Sequence, residues 1–109
     1  MTAIIDYGVG NLFSLKSSLA YIGADCVVTS DPAVIKNAPR IILPGVGAFE
    51  DAARKLAQSG MRETVLEEAA KGKPLLGICL GMQMLFEKSY EYGCHEGLGF
   101  IPGAVVPMA

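Results

Sequence analysis

Short apolar segments alternate with helical patterns along this chain, and that alternation most constrains its fold. The apolar segments lie at 3–6, 26–29, 40–43 and 75–78. Helical patterns lie at 12–22, 49–58 and 61–70, and residues 30–32 open a shorter helical turn. Because continuous apolar strands separated by helices need cover on both sides, we predict a three-layer α/β fold. Its sheet is expected to be mostly parallel, with right-handed crossovers and helices on both faces.

Three loops follow predicted strands directly, at residues 7–11, 44–47 and 77–81. Functional groups of parallel sheets gather at the carboxyl ends of the strands, so we expect a site where these loops meet. Asn11 or Ser14 could cap the first helix, and Gly23 is placed to end it. A further helix is expected at 82–87, and after residue 90 only 104–106 predicts another strand.

The sequence Gly-Ile-Cys-Leu-Gly at 77–81 indicates a cysteine on a sharp turn between strand and helix. Glycines two residues before and after Cys79 would remove Cβ atoms that clash in such a turn. The thiol would then be exposed, and the backbone N–H of Leu80 could point at a developing oxyanion. The alternative is a buried cysteine at the end of a core strand, with glycines that only allow tight packing.

Composition narrows the classes of function. The 109 residues are 51% hydrophobic and 18% charged, as in one packed α/β domain or part of one. A net charge of -2 gives no electrostatic case for nucleic acid or an anionic membrane. Apolar runs are too short for a membrane span and the N-terminus lacks a basic leader, so we expect a cytoplasmic protein. Three cysteines without Cys-x-x-Cys spacing predict neither disulfides nor a metal site, and no cofactor is indicated.

Four motifs in order resemble those of the class I, triad-type glutamine amidotransferases. They are Asp-Tyr-Gly-Val-Gly-Asn-Leu at 6–12, Leu-Pro-Gly-Val-Gly-Ala-Phe at 43–49, Gly-Ile-Cys-Leu-Gly-Met-Gln at 77–83 and Gly-Leu-Gly-Phe-Ile-Pro-Gly at 97–103. The likeness covers the whole chain. It implies a flavodoxin-like fold in which residues 1–109 are the N-terminal portion of a single amidotransferase domain.

This resemblance implies that Cys79 attacks the carboxamide carbon of glutamine and that a γ-glutamyl thioester then releases ammonia and glutamate. Leu80 and Val46 would supply the oxyanion-hole N–H groups. Gly45 and Gly47 would line the substrate site and make a peptide flip at Val46 cheap. The alternative for this loop is a simple strand-to-helix turn.

The same resemblance assigns Gln83 and Glu91 to binding substrate glutamine; otherwise both would be ordinary solvated helix residues. Asn11 and its loop resemble the face that docks a (β/α)₈-barrel cyclase. That partner uses the ammonia to make imidazole glycerol phosphate in histidine biosynthesis. Two other interpretations stay open: a non-catalytic flavodoxin-like module that binds a partner through the Asn11 loop, and an amidotransferase that feeds another synthase.

The chain departs from the family in its catalytic base. The family has a histidine and a glutamate well downstream of the cysteine, whereas the sole histidine here, His95, follows Cys79 by 16 residues and matches no family motif. General-base assistance contributes about 10²–10⁴-fold, so we expect little or no turnover from these residues alone. We also expect one edge of the sheet to lack strands and to favour association, either with a second half or with another chain.

Overall fold

A computed structural model of the protein describes residues 1–108, in which strands and helices alternate as far as the fourth strand. The elements are β1 (Thr2–Ile5), α1 (Leu12–Tyr21), β2 (Cys26–Thr29), α2 (Pro32–Asn37), β3 (Arg40–Leu43), α3 (Phe49–Gln58), α4 (Met61–Ala70), β4 (Leu75–Gly77), α5 (Leu80–Gln83), β5 (Phe86–Ser89), β6 (His95–Glu96) and β7 (Ile101–Val105).

Strands β1 to β4 form one parallel sheet in the order β2-β1-β3-β4. Right-handed crossovers put α1 on one face and α2, α3 and α4 on the other. Consistent with this placement, α4 packs against both α2 and α3. The predicted three-layer α/β fold is therefore confirmed, and the carboxyl ends of β1, β3 and β4 share one edge.

The hydrophobic core lies between the sheet and α2, α3 and α4. The alternate residues Ala3 and Ile5 of β1 point into it, together with Phe49, at the start of α3. The opposite face has thinner cover, because α1 buries none of its residues. Leu76 on the edge strand β4 is 56% exposed. The two faces of the sheet are thus unequally covered within the described part of the chain.

The first helix ends as the sequence predicts, and the structure decides between its two candidate caps. The side-chain oxygen of Asn11 accepts a hydrogen bond from the Ser14 N–H at 3.1 Å, so Asn11 is the cap. At the other end Gly23 adopts φ +78°, and its N–H donates to the Ala20 carbonyl at 3.1 Å. Glycine suits this left-handed position because it lacks a Cβ atom.

A second, three-stranded sheet in the order β6-β5-β7 follows α5. The predicted helix at 82–87 is wrong for its second half, because α5 ends at Gln83 and residues 86–89 form β5. Tertiary pairing overrides local propensity here: the Leu98 N–H donates to the Met84 carbonyl at 2.8 Å, and the Gly97 N–H donates to the Glu87 carbonyl at 2.8 Å. The strand predicted at 104–106 exists but begins earlier, at residue 101.

Among residues 1–108, no helix combines the length and apolar character that a membrane crossing requires.

Candidate active site

The three loops at the carboxyl ends of β1, β3 and β4 contact one another. The phenol of Tyr7, in the first loop, donates to the Pro44 carbonyl of the second loop at 2.5 Å. The Leu80 N–H, in the third loop, donates to the Gly45 carbonyl at 3.2 Å. A Cβ atom on Gly10 would lie 3.2 Å from the Pro44 Cβ, so these loops are also closely packed. The expected convergence of the loops is present.

Cys79 stands at the turn between β4 and α5 in an unusual backbone conformation. Its φ is 54° and its ψ is -119°, and it is the N-cap of α5. A non-glycine residue in a sparsely populated region costs about 1–3 kcal/mol and persists only where its surroundings impose it. Cys79 is also exposed, which contradicts the alternative of a buried core cysteine. The predicted strand, sharp turn and helix are all observed around it.

The glycines on either side of Cys79 are required by contacts with neighbouring backbone. A Cβ atom added to Gly81 would lie 1.9 Å from the Leu43 carbonyl oxygen, at the end of β3. A Cβ atom added to Gly77 would lie 2.7 Å from the Met82 Cα. Backbone atoms cannot move away as a flexible side chain can, so the turn depends on these two glycines.

The Leu80 N–H differs from the sequence expectation. The sequence predicts that this N–H faces a developing oxyanion, but in the structure it donates to the Gly45 carbonyl at 3.2 Å. Because a trans peptide directs its C=O and N–H to opposite sides, the Val46 N–H of the same peptide unit points away from Leu80. The two expected donors therefore do not converge in this arrangement. Hydrogen bonds between loops so distant in sequence leave no local signal that could have revealed this.

The two residues expected to bind substrate lie on separate elements: Gln83 is the last residue of α5, and Glu91 follows β5. The Gln83 N–H donates to the Cys79 carbonyl at 3.3 Å, and the Gln83 Oε1 is buried without a hydrogen-bond partner among residues 1–108. The Glu91 carboxylate accepts from the Phe49 N–H at 3.4 Å, at the start of α3. The Glu91 N–H in turn donates to the buried hydroxyl of Ser89 at 3.2 Å. Neither Gln83 nor Glu91 is a fully exposed side chain, and Glu91 is not helical, so the solvated-helix alternative is wrong for both.

Asn11 lies in the first loop, where it is exposed and caps α1 through the bond to Ser14 described above. Its neighbour Tyr7 is a functional candidate that the sequence did not single out, because nothing local distinguishes a buried tyrosine from an exposed one. Only 5% of Tyr7 is exposed, and burial raises the pKa of its phenol to about 12.

His95 is engaged away from Cys79. Its Nε2 lies 3.2 Å from the Tyr92 carbonyl oxygen and 3.7 Å from the Glu50 carboxylate. It borders a pocket of about 380 Å³ that Cys79 does not line; the other lining residues are Glu50, Ala53, Arg54, Ala57, Arg62, Cys94 and Glu96. Within residues 1–108 no group of three or more His, Cys, Asp and Glu side chains is arranged to hold a metal ion.

Comparisons with known proteins extend these observations. A sequence profile of the family described as "Glutamine amidotransferase class-I" matches residues 3–97. The chain is 54% identical to "Imidazole glycerol phosphate synthase subunit HisH" of Wolinella succinogenes, over 99% of this chain and 53% of the relative. It is 57% identical, with the same two coverages, to the subunit of that name from Caldanaerobacter subterraneus. The chain thus spans about half the length of the curated relatives it matches.

Solved structures share the fold at low sequence identity. A crystal structure of a glutamine amidotransferase is matched with a TM-score of 0.79 and 19% identity, over 95% of this chain and 55% of the other. A putative peptidase E protein from Listeria monocytogenes is matched with a TM-score of 0.72 and 16% identity, over 92% of this chain and 62% of the other. At these identities the two structures support the fold alone.

Proposed function

Because the chain belongs to the class-I glutamine amidotransferase family, we propose that it carries the cysteine nucleophile of a glutaminase. The observation that supports this most directly is Cys79, exposed at φ 54° between two glycines that the neighbouring backbone requires. Its relatives named HisH extend the proposal to the glutaminase of imidazole glycerol phosphate synthase, in histidine biosynthesis.

In the proposed reaction, the Cys79 thiolate attacks the side-chain carboxamide carbon of glutamine, and the carbonyl oxygen takes the negative charge. Collapse of this intermediate re-forms the C=O bond and breaks the C–N bond, and the nitrogen leaves as ammonia with the proton that the thiol gave up to water when the thiolate formed. Water then attacks the γ-glutamyl thioester, which releases glutamate and restores the thiol. The exposed position of Cys79 gives a small substrate access to its sulfur.

The oxyanion requires two N–H donors, and the observed arrangement supplies them only after one peptide rotates. Turning the Gly45–Val46 peptide by half a revolution would release the Leu80 N–H from the Gly45 carbonyl and bring the Val46 N–H to the same side. This rotation changes the ψ angle of Gly45 and the φ angle of Val46, and the missing Cβ atom of Gly45 keeps the first change cheap. Gly47, at φ +93° with open space around its missing Cβ, lets the chain after Val46 adjust. We therefore assign the oxyanion hole to Leu80 and Val46 in the rotated arrangement.

Substrate glutamine carries an α-ammonium group, which needs hydrogen-bond acceptors. The buried Gln83 Oε1 is an acceptor without a donor among the described residues, and such atoms normally have a partner. The Glu91 carboxylate, which lies beside the loop that precedes α3, adds a negative charge. We propose that Gln83 and Glu91 hold the amino-acid end of glutamine and that the loop with Gly45 and Gly47 lies beside its side chain, with open space at Gly47.

The partner in this proposal is the (β/α)₈-barrel cyclase of the synthase, docked on the exposed loop that holds Asn11 as a heterodimer. A tight interface would deliver ammonia before water protonates it. We place the pair in the cytoplasm, since three free cysteines suit a reducing compartment. Residues 1–109 would be the nucleophile-bearing portion of one glutaminase domain. We expect little turnover from them alone, because the contacts of His95 among residues 1–108 are with Glu50 and the Tyr92 carbonyl and not with Cys79.

The experiment is protection of Cys79 from a diazo-ketone analogue of glutamine, mapped by peptide mass spectrometry. Excess glutamine should protect Cys79, and asparagine, which is one methylene shorter, should not. Cys94 is the matched control because it is also exposed. Equal protection by both amino acids, or none by glutamine, would favour the non-catalytic, partner-binding alternative.

A further inference from the structure

Tyr7 connects the first loop to the second through a single buried hydrogen bond. Its phenol donates to the Pro44 carbonyl at 2.5 Å, across 37 positions of sequence. Only 5% of Tyr7 is exposed, and Pro44 is buried as well. Because burial raises the pKa of this phenol to about 12, the hydroxyl keeps its proton and remains a donor across the physiological range.

We propose that Tyr7 is a positioning residue for the second loop, residues 44–47, which carries the Val46 N–H. Tyr7 fixes the Pro44 carbonyl, so that backbone rotation in this loop is confined to the Gly45–Val46 peptide. This inference rests on the proposed function, because the rotation matters only if the Val46 N–H binds an oxyanion. Tyr7 touches neither the substrate nor the reacting atoms in this scheme. Its effect is on the position that the Val46 N–H takes after the peptide has rotated.

The packing on the amino side of the Gly45–Val46 peptide is tight. A Cβ atom on Gly45 would lie 2.9 Å from the Tyr7 hydroxyl oxygen and 2.9 Å from the Gly81 nitrogen. The ring of Pro44 restricts its own φ, and its carbonyl is bonded to Tyr7. The chain is therefore held on several sides up to Gly45.

The carboxyl side of the same peptide is open. Val46 is 56% exposed, and a Cβ atom on Gly47 would meet no atom within 4 Å. The boundary between the fixed and the free backbone thus falls at the peptide whose carbonyl accepts from the Leu80 N–H. Without the Tyr7 hydroxyl the boundary would move back to Pro44, and the loop could adopt several orientations instead of two.

If Tyr7 had a purely structural role, its ring would matter and its hydroxyl would not. This alternative has support, because Tyr7 belongs to the buried core cluster and its ring packs there. Substituting Tyr7→Phe keeps the ring and removes the hydroxyl, which isolates the bond to Pro44. Tyr21→Phe is the matched control, because Tyr21 is 92% exposed at the end of α1.

The test compares two labelling rates of Cys79 in each variant. Iodoacetamide reports the reactivity of the thiol, and the diazo-ketone analogue of glutamine also needs a place for its carbonyl oxygen. In Tyr7→Phe we expect the diazo-ketone rate to fall about fivefold, the contribution of an ordinary hydrogen bond. The iodoacetamide rate should stay within about twofold, as should both rates in Tyr21→Phe. Equal falls in both rates, or no fall in either, would overturn the proposal.

A second measurement separates this inference from the proposed function. If wild-type Cys79 shows no selectivity for the diazo-ketone, the glutaminase proposal fails and the labelling ratio loses its meaning. The amide NMR signals of Gly45, Val46 and Leu80 then decide. In Tyr7→Phe they should shift and broaden, because the loop exchanges among more orientations; signals identical to those of wild type would overturn the positioning role.

Discussion

The substitution Gly81→Ala tests the physical basis of the cysteine turn. The added Cβ atom would lie 1.9 Å from the Leu43 carbonyl oxygen, far inside any observed contact for such atoms. This oxygen is backbone at the end of the central strand β3 and also accepts from the Ile78 N–H at 3.0 Å, so it cannot move without disturbing the sheet. Relief therefore requires the turn to move away from β3.

The expected cost follows from comparing two terms. Overpacking a tight site costs about 1–3 kcal/mol and occasionally more, and a clash with backbone belongs at the upper end. Alanine in place of glycine in a helix returns about 1 kcal/mol. We therefore expect Gly81→Ala to lower the free energy of unfolding by about 2 kcal/mol or more, against a control that adds the same methyl group in open space.

Gly23→Ala is that control. Its Cβ atom would meet nothing within 4 Å, and its cost is limited to the left-handed φ of 78°, about 1 kcal/mol. Urea denaturation followed by circular dichroism measures both variants under the same conditions. A loss in Gly81→Ala no larger than that in Gly23→Ala would refute the claim that the neighbouring strand imposes glycine at this turn.

Three further predictions concern other parts of the structure. Cys79→Gly should be more stable to urea than Cys79→Ala by about 1–3 kcal/mol, because glycine relieves the strained φ; equal stabilities would remove the evidence for strain. The ion pairs of Glu68 with Lys73 at 2.8 Å and Lys71 at 2.9 Å hold the pKa of this buried carboxyl below its usual value. The stabilisation by these ion pairs is therefore present above the ordinary pKa of glutamate and is lost as the pH falls through the lowered value. The urea midpoint should fall more steeply below about pH 5 in wild type than in Glu68→Gln. Parallel plots of the midpoint against pH would contradict this. Asn11→Ala should lose about 1 kcal/mol of stability to urea through the missing cap, whereas Asn11→Ser should keep most of it. Equal losses in both variants would show that the hydrogen bond from the Ser14 N–H does not stabilise the helix.

The sequence predicted the parallel sheet and its helices well, because their signals are local. Each strand from β1 to β4 is a short apolar run, and the bounds of α3 and α4 coincide with the predicted ranges. Glycines at Gly77 and Gly81 likewise carry a local meaning, since a missing Cβ atom at these spacings is useful mainly in a sharp turn. For these features the three-dimensional neighbours only reinforce what the chain already favours.

Features that depend on distant contacts could not be predicted. The residues at 82–87 have good helix formers, yet α5 stops after one turn, because the Leu98 N–H takes the Met84 carbonyl and β5 pairs with β7. The bond from the Leu80 N–H to the Gly45 carbonyl also joins loops far apart in sequence. So does the bond from Tyr7 to Pro44, which is why Tyr7 was missed.

The most direct test of the central claim, that Cys79 is a glutaminase nucleophile, is a competition between cysteines within one sample. Wild-type protein is treated with the diazo-ketone analogue of glutamine, and the labelling rates of Cys79 and Cys94, both exposed, are measured by mass spectrometry. We predict a rate at Cys79 at least about tenfold higher, because binding of the amino-acid end raises the effective concentration of the reagent beside the sulfur. Equal rates at the two cysteines would contradict the assignment.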